Sequence, residues 1–224
     1  MKALPNVEQS YAVEFVRKSI HICSLSIPIV YYFVTKATAL WILIPLALVL
    51  GASDFLRFRV PAFGAAYSKL FDWLLRSHER DHDQKRLNGA TYVLLSAIIC
   101  IWLFPKVIFI TSFAILIVSD TLAALIGRRY GRVRFLKKSR AGSLAFFFSA
   151  VGVAALTPKL NYDLVEYFIG FAGALVGTMV ESLSTSIDDN ISIPLTIGIA
   201  MWLLYVLMIP GVDVFAMDSA AFVP

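Results

Sequence analysis

The sequence predicts an all-α integral membrane protein with about seven transmembrane helices. Of its 224 residues, 59% are hydrophobic, and the mean hydropathy is +0.77. The apolar runs reach about 20 residues, the length that spans a bilayer core. Lysine and arginine are concentrated in alternate connections between these runs, which is typical of polytopic membrane proteins. These observations leave no soluble alternative for the chain.

Seven apolar segments are predicted as spans of a single polytopic domain over residues 1–224. They are residues 19–34, 37–53, 89–104, 107–127, 142–157, 164–183 and 193–209. Several are short or contain glycine or proline, so we expect one or two to be tilted, kinked or incompletely spanning. The connections include a long segment over about 54–88, a basic loop over about 128–141 and an acidic loop over about 184–192.

The distribution of cationic residues predicts the orientation of these spans. With the N-terminus inside, the outer regions hold only Lys36, Lys106 and Lys159 of the 20 lysines and arginines, which leaves 17 inside. Positive charge is retained on the cytoplasmic side. We therefore expect the N-terminus inside, the C-terminus outside, and the three long connections on the cytoplasmic face.

The connection over residues 54–88 contains a predicted amphipathic helix. Phe63, Tyr67 and Leu70 recur at helical spacing, while Lys69 lies on the other face. Such a pattern is typical of a helix that lies in the membrane interface.

Arg17, Lys18 and His21 lie at the predicted cytoplasmic end of the first span. Positions 17 and 21 are one helical turn apart and share a face, so this group could bind phosphate oxygens. Arg17 and Lys18 are also explained as anchors whose side chains extend to the interface. Anchoring gives no reason for His21, which lies a turn deeper, and both interpretations stay open.

Asp120 lies about two turns inside an apolar segment, and Ala123, Ala124, Gly127 and Gly131 follow it at helical spacing. A charge in lipid is unfavourable unless it is paired or hydrated. A face of small residues lets another helix, or a nucleotide, approach the backbone closely. Helix packing explains the small residues but not the acid, so the pattern favours a functional site.

The basic loop carries seven cations within 14 residues: Arg128, Arg129, Arg132, Arg134, Lys137, Lys138 and Arg140. Arginine binds phosphate oxygens as a fork and lysine as a point charge. The alternative is diffuse attraction to anionic lipid. Not all seven can be ligands, and we expect Arg132 and Arg134 to be lipid-facing charges.

The sixth span ends in an acidic cluster. Glu181 shares a face with three glycines, and Asp188, Asp189 and Asn190 follow in the next loop. Mg²⁺ prefers hard oxygen donors of this kind, with phosphate oxygens and water completing its octahedron. One residue of the loop could instead cap the last helix. A single cap does not require three such residues and Glu181, so the cluster favours a metal–phosphate site.

Several common sites are missing from the sequence. It contains no P-loop, no dinucleotide fingerprint, no zinc-ligand spacing and no nucleophile elbow. Cys23 and Cys100 both lie in apolar spans and offer no disulfide framework. The net charge of +5 suits a membrane surface and phosphates, and nothing indicates nucleic-acid recognition.

Taken together, these segments resemble the integral-membrane family of CTP-dependent lipid-alcohol kinases, which includes dolichol, phytol and farnesol kinases and the yeast-type CTP-dependent diacylglycerol kinase. The resemblance runs from Glu14 to about Pro210. It rests on R-K-x-x-H at Arg17, N-G-A-T-Y at Asn88, SDTLAALIGRRYG from Ser119 with the following KKSRAGSLAFF, and ESLSTSIDDNISIP from Glu181.

The resemblance implies CTP as phosphate donor, Mg²⁺ as cofactor and a lipid alcohol as acceptor (a polyprenol, dolichol, phytol or diacylglycerol) at the cytoplasmic face of the inner membrane or its equivalent. Asp120 and Glu181 would be catalytic, with Glu181 as the base for the lipid hydroxyl or as a metal ligand. The metal ligands would be Asp120, Asp188, Asp189 and Asn190. The nucleotide-binding residues would be Arg17, Lys18, His21, Gly127, Arg128, Gly131, Lys137, Lys138, Ser139 and Gly142.

Two other activities stay open. The pattern D-x-x-A-x-x-x-G-R-x-x-G…K-K-S-x-x-G, which begins at Asp120, also resembles part of the CDP-diacylglycerol synthases, so the protein could be a phosphatidate cytidylyltransferase. The longer tail of those synthases, with its HGG and paired aspartates, is missing here. A transporter of an anionic lipid would use similar cations, but it would place charges near mid-membrane and on both faces.

The predicted orientation can be tested with reporter fusions. A reporter fused after Pro224 should be non-cytoplasmic, and one inserted between residues 77 and 88 should be cytoplasmic, because the cation distribution places them on opposite sides. Compartment-specific alkaline phosphatase and fluorescent-protein reporters provide the measurement. Two reporters on the same side would contradict the seven-span topology.

Overall fold

The structure, a computed structural model, describes residues 7–71, 87–183 and 187–218. Within these ranges the helices are α1 (Val7–Cys23), α2 (Ser26–Phe33), α3 (Lys36–Arg59), α4 (Pro61–Phe71), α5 (Gly89–Leu103), α6 (Lys106–Tyr130), α7 (Arg140–Leu156), α8 (Leu164–Leu183) and α9 (Asp189–Met208). A short antiparallel hairpin between α6 and α7 pairs β1 (Arg134–Phe135) with β2 (Lys138–Ser139). The predicted all-α class is confirmed, with this hairpin as an unpredicted addition.

Helices α3, α6, α8 and α9 are long and apolar enough to cross a membrane, and α5 and α7 are apolar but shorter. The predicted membrane character is therefore confirmed. The number of spans and their orientation stay predictions.

Helix α6 is the centre of the bundle. In its most apolar stretch 78% of the residues are buried, against 22–39% in α3, α8 and α9. It packs against α1, α2, α5, α7, α8 and α9. Asp120, near the C-terminal end of this helix, is therefore surrounded by protein on several sides.

The first predicted span, residues 19–34, is divided into α1 and α2. Pro28 has no backbone N–H, and its ring crowds the carbonyl group of Ser24, four residues earlier. At the break, the N–H groups of Ser24 and Leu25 donate to the carbonyl oxygens of His21 and Ile22 at 2.9 and 3.0 Å. Helix α1 thereby takes its own direction and packs along α6, which brings its cations to Asp120.

Helix α3 begins near the second predicted span and continues six residues beyond the end of that span at position 53, to Arg59. Asp54 is fully buried and pairs with Arg57 one turn later, at 3.3 Å between Oδ1 and Nε. It also accepts hydrogen bonds from the Asn88 N–H at 2.9 Å and the Thr91 hydroxyl at 2.8 Å. Because Asp54 is buried with these partners, the helix continues into the connection over residues 54–88.

The same contacts join the two ends of the long connection. Asn88 caps α5 by accepting a hydrogen bond from the Thr91 N–H at 2.9 Å, while its side-chain amide donates to Asp54 at 2.9 Å. Helix α4 occupies the predicted amphipathic segment, and the rings of Phe63 and Tyr67 lie 6.4 Å apart on it. Its place in the membrane interface stays a prediction, and residues 72–86 lie outside the described ranges.

At the opposite end of the bundle from the C-terminus of α6, three lysines close helix ends. Each donates from Nζ to a carbonyl oxygen in the last turn or cap of a helix: Lys36 to Trp102 at 2.9 Å, Lys106 to Val34 at 3.0 Å and Lys159 to Ala154 at 2.6 Å. Burial lowers the pKa of Lys159, and the nearby carboxylate of Glu166 partly opposes this effect. The carbonyl ends of helices carry partial negative charge, which the ammonium groups neutralise.

Candidate functional site

Most of the predicted site residues line one cavity of about 550 Å³ beside the C-terminal half of α6. They are Arg17, Lys18, Asp120, Gly127, Arg128, Gly131, Lys137, Lys138, Ser139, Gly142, Glu181 and Asp189. These residues come from four segments that are far apart in the chain: α1, the end of α6, the hairpin with the start of α7, and the α8–α9 junction.

Asp120 forms an ion pair with Lys18 of α1, and both side chains are largely buried. His21 Nε2 lies 3.8 Å from the same carboxylate oxygen. A buried carboxylate needs such compensation, because taking an unpaired charge out of water is strongly unfavourable. His21 itself is not among the residues that line the cavity. It contacts the site through Asp120, and its nucleotide-binding role stays a prediction.

Glu14 is a wall residue that the sequence analysis missed. Its buried carboxylate pairs with Arg17, and its other oxygen lies 2.9 Å from Arg128 NH2. One acid thus aligns a cation of α1 with a cation of α6 at the cavity. The sequence signal that could have found it is its position one helical turn before Arg17.

Lys138 joins the hairpin to the acidic cluster. Its Nζ lies 3.0 Å from Asp189 Oδ2 and 3.4 Å from Glu181 Oε1. Burial alone would lower the pKa of Lys138, but Asp189, Glu181 and Asp120 outweigh that effect and hold its pKa above the usual value. The ammonium group therefore stays charged at neutral pH.

Two hydroxyl groups hold the other side of Glu181, and neither was predicted as a site residue. Ser143 Oγ lies 2.8 Å from Ser182 Oγ and 3.4 Å from Glu181 Oε2. Ser182 in turn donates to the Thr178 carbonyl oxygen at 2.7 Å. The buried carboxylate of Glu181 is thus held between an ammonium group and a pair of serines.

The glycines of the basic loop let the hairpin pack against α6. Ser139 caps α7 by accepting a hydrogen bond from the Gly142 N–H at 3.1 Å. A Cβ atom at Gly131 would lie 2.1 Å from the carbonyl oxygen of Gly127 and 2.6 Å from Ser139 Oγ, and one at Gly127 would lie 2.9 Å from Ser139 Oγ. Close packing accounts for these glycines, and it also builds a wall of the cavity from backbone.

Of the three acidic-loop residues predicted as metal ligands, all of them within the described ranges, Asp189 lines the cavity. Asp188 caps α9, and its Oδ1 accepts from the backbone and side-chain N–H groups of Asn190 at 2.9 and 2.7 Å. Neither residue lines the cavity. Asp188 thus has the capping role that the sequence left open, with Asn190 as its hydrogen-bond donor. Asp189 is the one of these three residues that faces the cavity, and metal binding by the three stays a prediction.

The chemistry of the donor set fits Mg²⁺ when phosphate is present. Among the described residues, no three His, Cys, Asp or Glu side chains gather closely enough to hold a metal alone. Mg²⁺, however, usually takes one or two carboxylates and completes its shell with phosphate oxygens and water. Asp120, Glu181 and Asp189 share one cavity and could supply those carboxylates.

Arg132 and Arg134 do not behave alike. Both were expected to face lipid, but Arg134 lines the cavity and Arg132 does not. Arg134 is the first residue of β1, whereas Arg132 lies before the strand, between α6 and the hairpin.

Comparison with known proteins finds relatives but neither a matching family model nor a matching solved structure. An uncharacterized protein of Rickettsia prowazekii is 32% identical over 84% of this chain and 93% of its own length. The CTP-dependent diacylglycerol kinase 1 of Schizosaccharomyces pombe is 28% identical over 69% of this chain and 74% of its own. A probable chloroplastic phytol kinase 2 of Glycine max is 33% identical over 56% of this chain, and the match spans about half of that protein, 48%.

The packing role of the loop glycines can be tested at Gly131. Gly131→Ala should displace the hairpin and lower the apparent melting temperature, because its Cβ would overlap the Gly127 carbonyl oxygen. Gly152→Ala is the matched control, since a Cβ there meets nothing within 4 Å and alanine stabilises a helix by about 0.5–1 kcal/mol relative to glycine. Thermal unfolding of both variants in the same detergent provides the comparison. Equal melting temperatures would contradict the packing role.

Proposed function

Because the chain belongs to the family of CTP-dependent lipid kinases, we propose that it transfers the γ-phosphate of CTP to the hydroxyl group of a membrane lipid alcohol at the cytoplasmic face. The observation that carries this proposal is the convergence of four distant segments on one cavity rich in cations and carboxylates. Its volume of about 550 Å³ lies within the usual range of small-molecule sites.

The charges on the cavity wall suit a metal–triphosphate complex. Six cations (Arg17, Lys18, Arg128, Arg134, Lys137 and Lys138) face four carboxylates (Glu14, Asp120, Glu181 and Asp189). The formal excess of two positive charges is smaller than the charge of a free triphosphate. A triphosphate partly neutralised by Mg²⁺ is the better electrostatic match, and it also gives the carboxylates a role.

Phosphoryl transfer needs positioning and charge neutralisation more than covalent help from the protein. Asp120 and Asp189 would hold Mg²⁺, which when bound neutralises negative charge on the triphosphate. Arg17, Arg128 and Lys138 would bind phosphate oxygens and stabilise the charge that develops in the transition state. Arg17 and Arg128 pair with Glu14, and Lys138 pairs with Asp189; these ion pairs would hold the three cations in place before the nucleotide binds.

Glu181 is the candidate base. The lipid hydroxyl oxygen would attack the γ-phosphorus, the bond to the oxygen bridging to the β-phosphate would break, CDP would leave, and Glu181 would take the hydroxyl proton. The Ser143–Ser182 pair would hold its carboxylate in place. If Glu181 instead binds Mg²⁺, the proton would pass to water, and the rest of the scheme is unchanged.

The acceptor is a lipid with a free hydroxyl group that reaches the cavity from the bilayer. Relatives of this chain are named for two such acceptors, diacylglycerol and phytol. We propose that the hydroxyl lies at the membrane surface while the apolar tail remains between or beside the helices.

Label transfer separates the possible reactions. The purified protein in liposomes receives Mg²⁺, CTP labelled at the γ-phosphate, and diacylglycerol, phytol, a polyprenol or phosphatidate. A kinase transfers the label to a lipid alcohol, whereas a phosphatidate cytidylyltransferase releases it as pyrophosphate. Label in lipid supports the proposal. Pyrophosphate release with phosphatidate, or no transfer to any alcohol, contradicts it.

Asp120 and Asp188 separate the metal-binding and capping roles. Asp120→Asn should lower turnover by at least roughly two orders of magnitude, because it removes a charge that stabilises the transition state. Asp188→Asn should keep activity close to wild type, since asparagine caps a helix about as well as aspartate. Initial rates with saturating CTP and acceptor provide the measurement. Near-wild-type turnover of Asp120→Asn would remove Asp120 from the catalytic site.

A further inference from the structure

The tip of the β1–β2 hairpin exposes apolar side chains that the cavity does not use. Phe135 is 40% exposed and Leu136 is 52% exposed. Val133 and Tyr130, which precede the hairpin, are 61% and 60% exposed. Four exposed apolar side chains thus lie within residues 130–136, from the end of α6 to the hairpin turn. Exposed apolar surface of this kind marks an interaction surface when it is contiguous.

The hairpin lies at the depth of two helix ends. The N–H of Lys137, in the turn next to Leu136, donates to the carbonyl oxygen of Ser182 at 3.1 Å. Ser182 belongs to the last turn of α8, which is long and apolar enough to cross a membrane. Lys138 contacts Asp189, the first residue of α9. The tip is therefore level with the ends of these helices, where lipid headgroups lie, rather than far outside the membrane.

Exposed cations flank the apolar patch. Arg129 and Arg132 are exposed, and the guanidinium carbon of Arg129 lies 5.6 Å from the centre of the Tyr130 ring. Neither arginine belongs to the cavity wall. Apolar and aromatic side chains combined with arginine are typical of protein segments that lie in an anionic membrane interface.

The backbone at the tip has an unfavourable conformation that keeps a large apolar side chain exposed. Leu136 has a φ of 52° at the first position of the two-residue turn between the strands, where hairpins with positive φ usually have glycine. A bulky residue in this region is strained unless its surroundings compensate. The described protein residues leave half of its side chain uncovered, and contact with lipid would cover it.

We propose that this hairpin tip, formed by Phe135 and Leu136 with Val133 and Tyr130, inserts into the headgroup region of an anionic leaflet and is held there by Arg129 and Arg132. The strands behind the tip carry Arg134 and Lys138 to the cavity wall. Lipid contact on the tip thus also fixes one wall of the cavity. This surface depends on the membrane character of the chain and not on which reaction the cavity performs.

A spin label at the tip tests its depth. Leu136→Cys is made in a Cys23→Ser, Cys100→Ala background, because these are the two native cysteines. Asn161→Cys, at an exposed polar position between α7 and α8, is the matched control. The protein is placed in vesicles of phosphatidylcholine with increasing phosphatidylglycerol, and label collisions with oxygen and with a water-soluble nickel chelate are compared. If Leu136→Cys fails to fold, Phe135→Cys takes its place.

We expect the label at position 136 to collide more with oxygen and less with nickel than the label at position 161, and this difference to grow with phosphatidylglycerol. Arg129→Gln combined with Arg132→Gln should abolish the growth. Nickel accessibility equal to that at position 161, or a depth independent of anionic lipid, would overturn the proposal. Protection of the label from the nickel chelate that is present in detergent and lost when the protein is diluted would also overturn the proposal, because a second copy of the chain would then cover the tip.

Discussion

The fold of the half of the protein that holds the cavity depends on pairing every carboxylate of the cavity wall with a cation from another segment. Lys18 of α1 pairs with Asp120 of α6, and Lys138 of the hairpin pairs with both Glu181 and Asp189 at the α8–α9 junction. These contacts link segments that are separated by up to 102 positions. Removing one member of a buried pair typically costs about 3–5 kcal/mol, because the partner charge remains without compensation. The same ionic contacts therefore serve as tertiary structure and as a prearranged binding site. A substrate of this cavity would exchange partners with groups that are already charged and in place, so little reorganisation would be needed on binding.

Much of the fold follows from hydropathy alone, because a bilayer forces the chain into helices of restricted length. Residues 164–183 were predicted with the bounds that the structure gives to α8. The helices differ from the predicted segments where hydropathy carries no information. Pro28 divides the first apolar segment, and the buried Asp54–Arg57 pair extends α3 into a segment that appears polar in sequence. Hydropathy averaged over a stretch of sequence cannot distinguish a charged side chain that faces water from one that is buried against an opposite charge.

The candidate site was predictable where a residue type is out of place. An acid inside an apolar helix, such as Asp120, indicates a functional site. Glu14 and Ser143 gave no such signal, since an acid ahead of the first apolar segment and a serine in a small-residue segment are common. Only the tertiary structure brings Glu14 to the cavity wall and Ser143 to Glu181. Asp188 illustrates the opposite difficulty: sequence alone does not distinguish an aspartate that caps a helix from one that binds a metal.

The three lysines that close helix ends at the far side of the bundle have a consequence for the surrounding lipid. They are all of the lysines and arginines expected on that side, and each has its ammonium group hydrogen-bonded to a backbone carbonyl oxygen. Acidic phospholipids in the adjoining leaflet would find little exposed positive charge there, while the opposite leaflet would meet the basic segments. The protein would therefore gather an asymmetric lipid annulus, enriched in anionic headgroups on one leaflet only. Changes in the acidic lipid content of the leaflet beside the three lysines should leave the fold of the protein undisturbed.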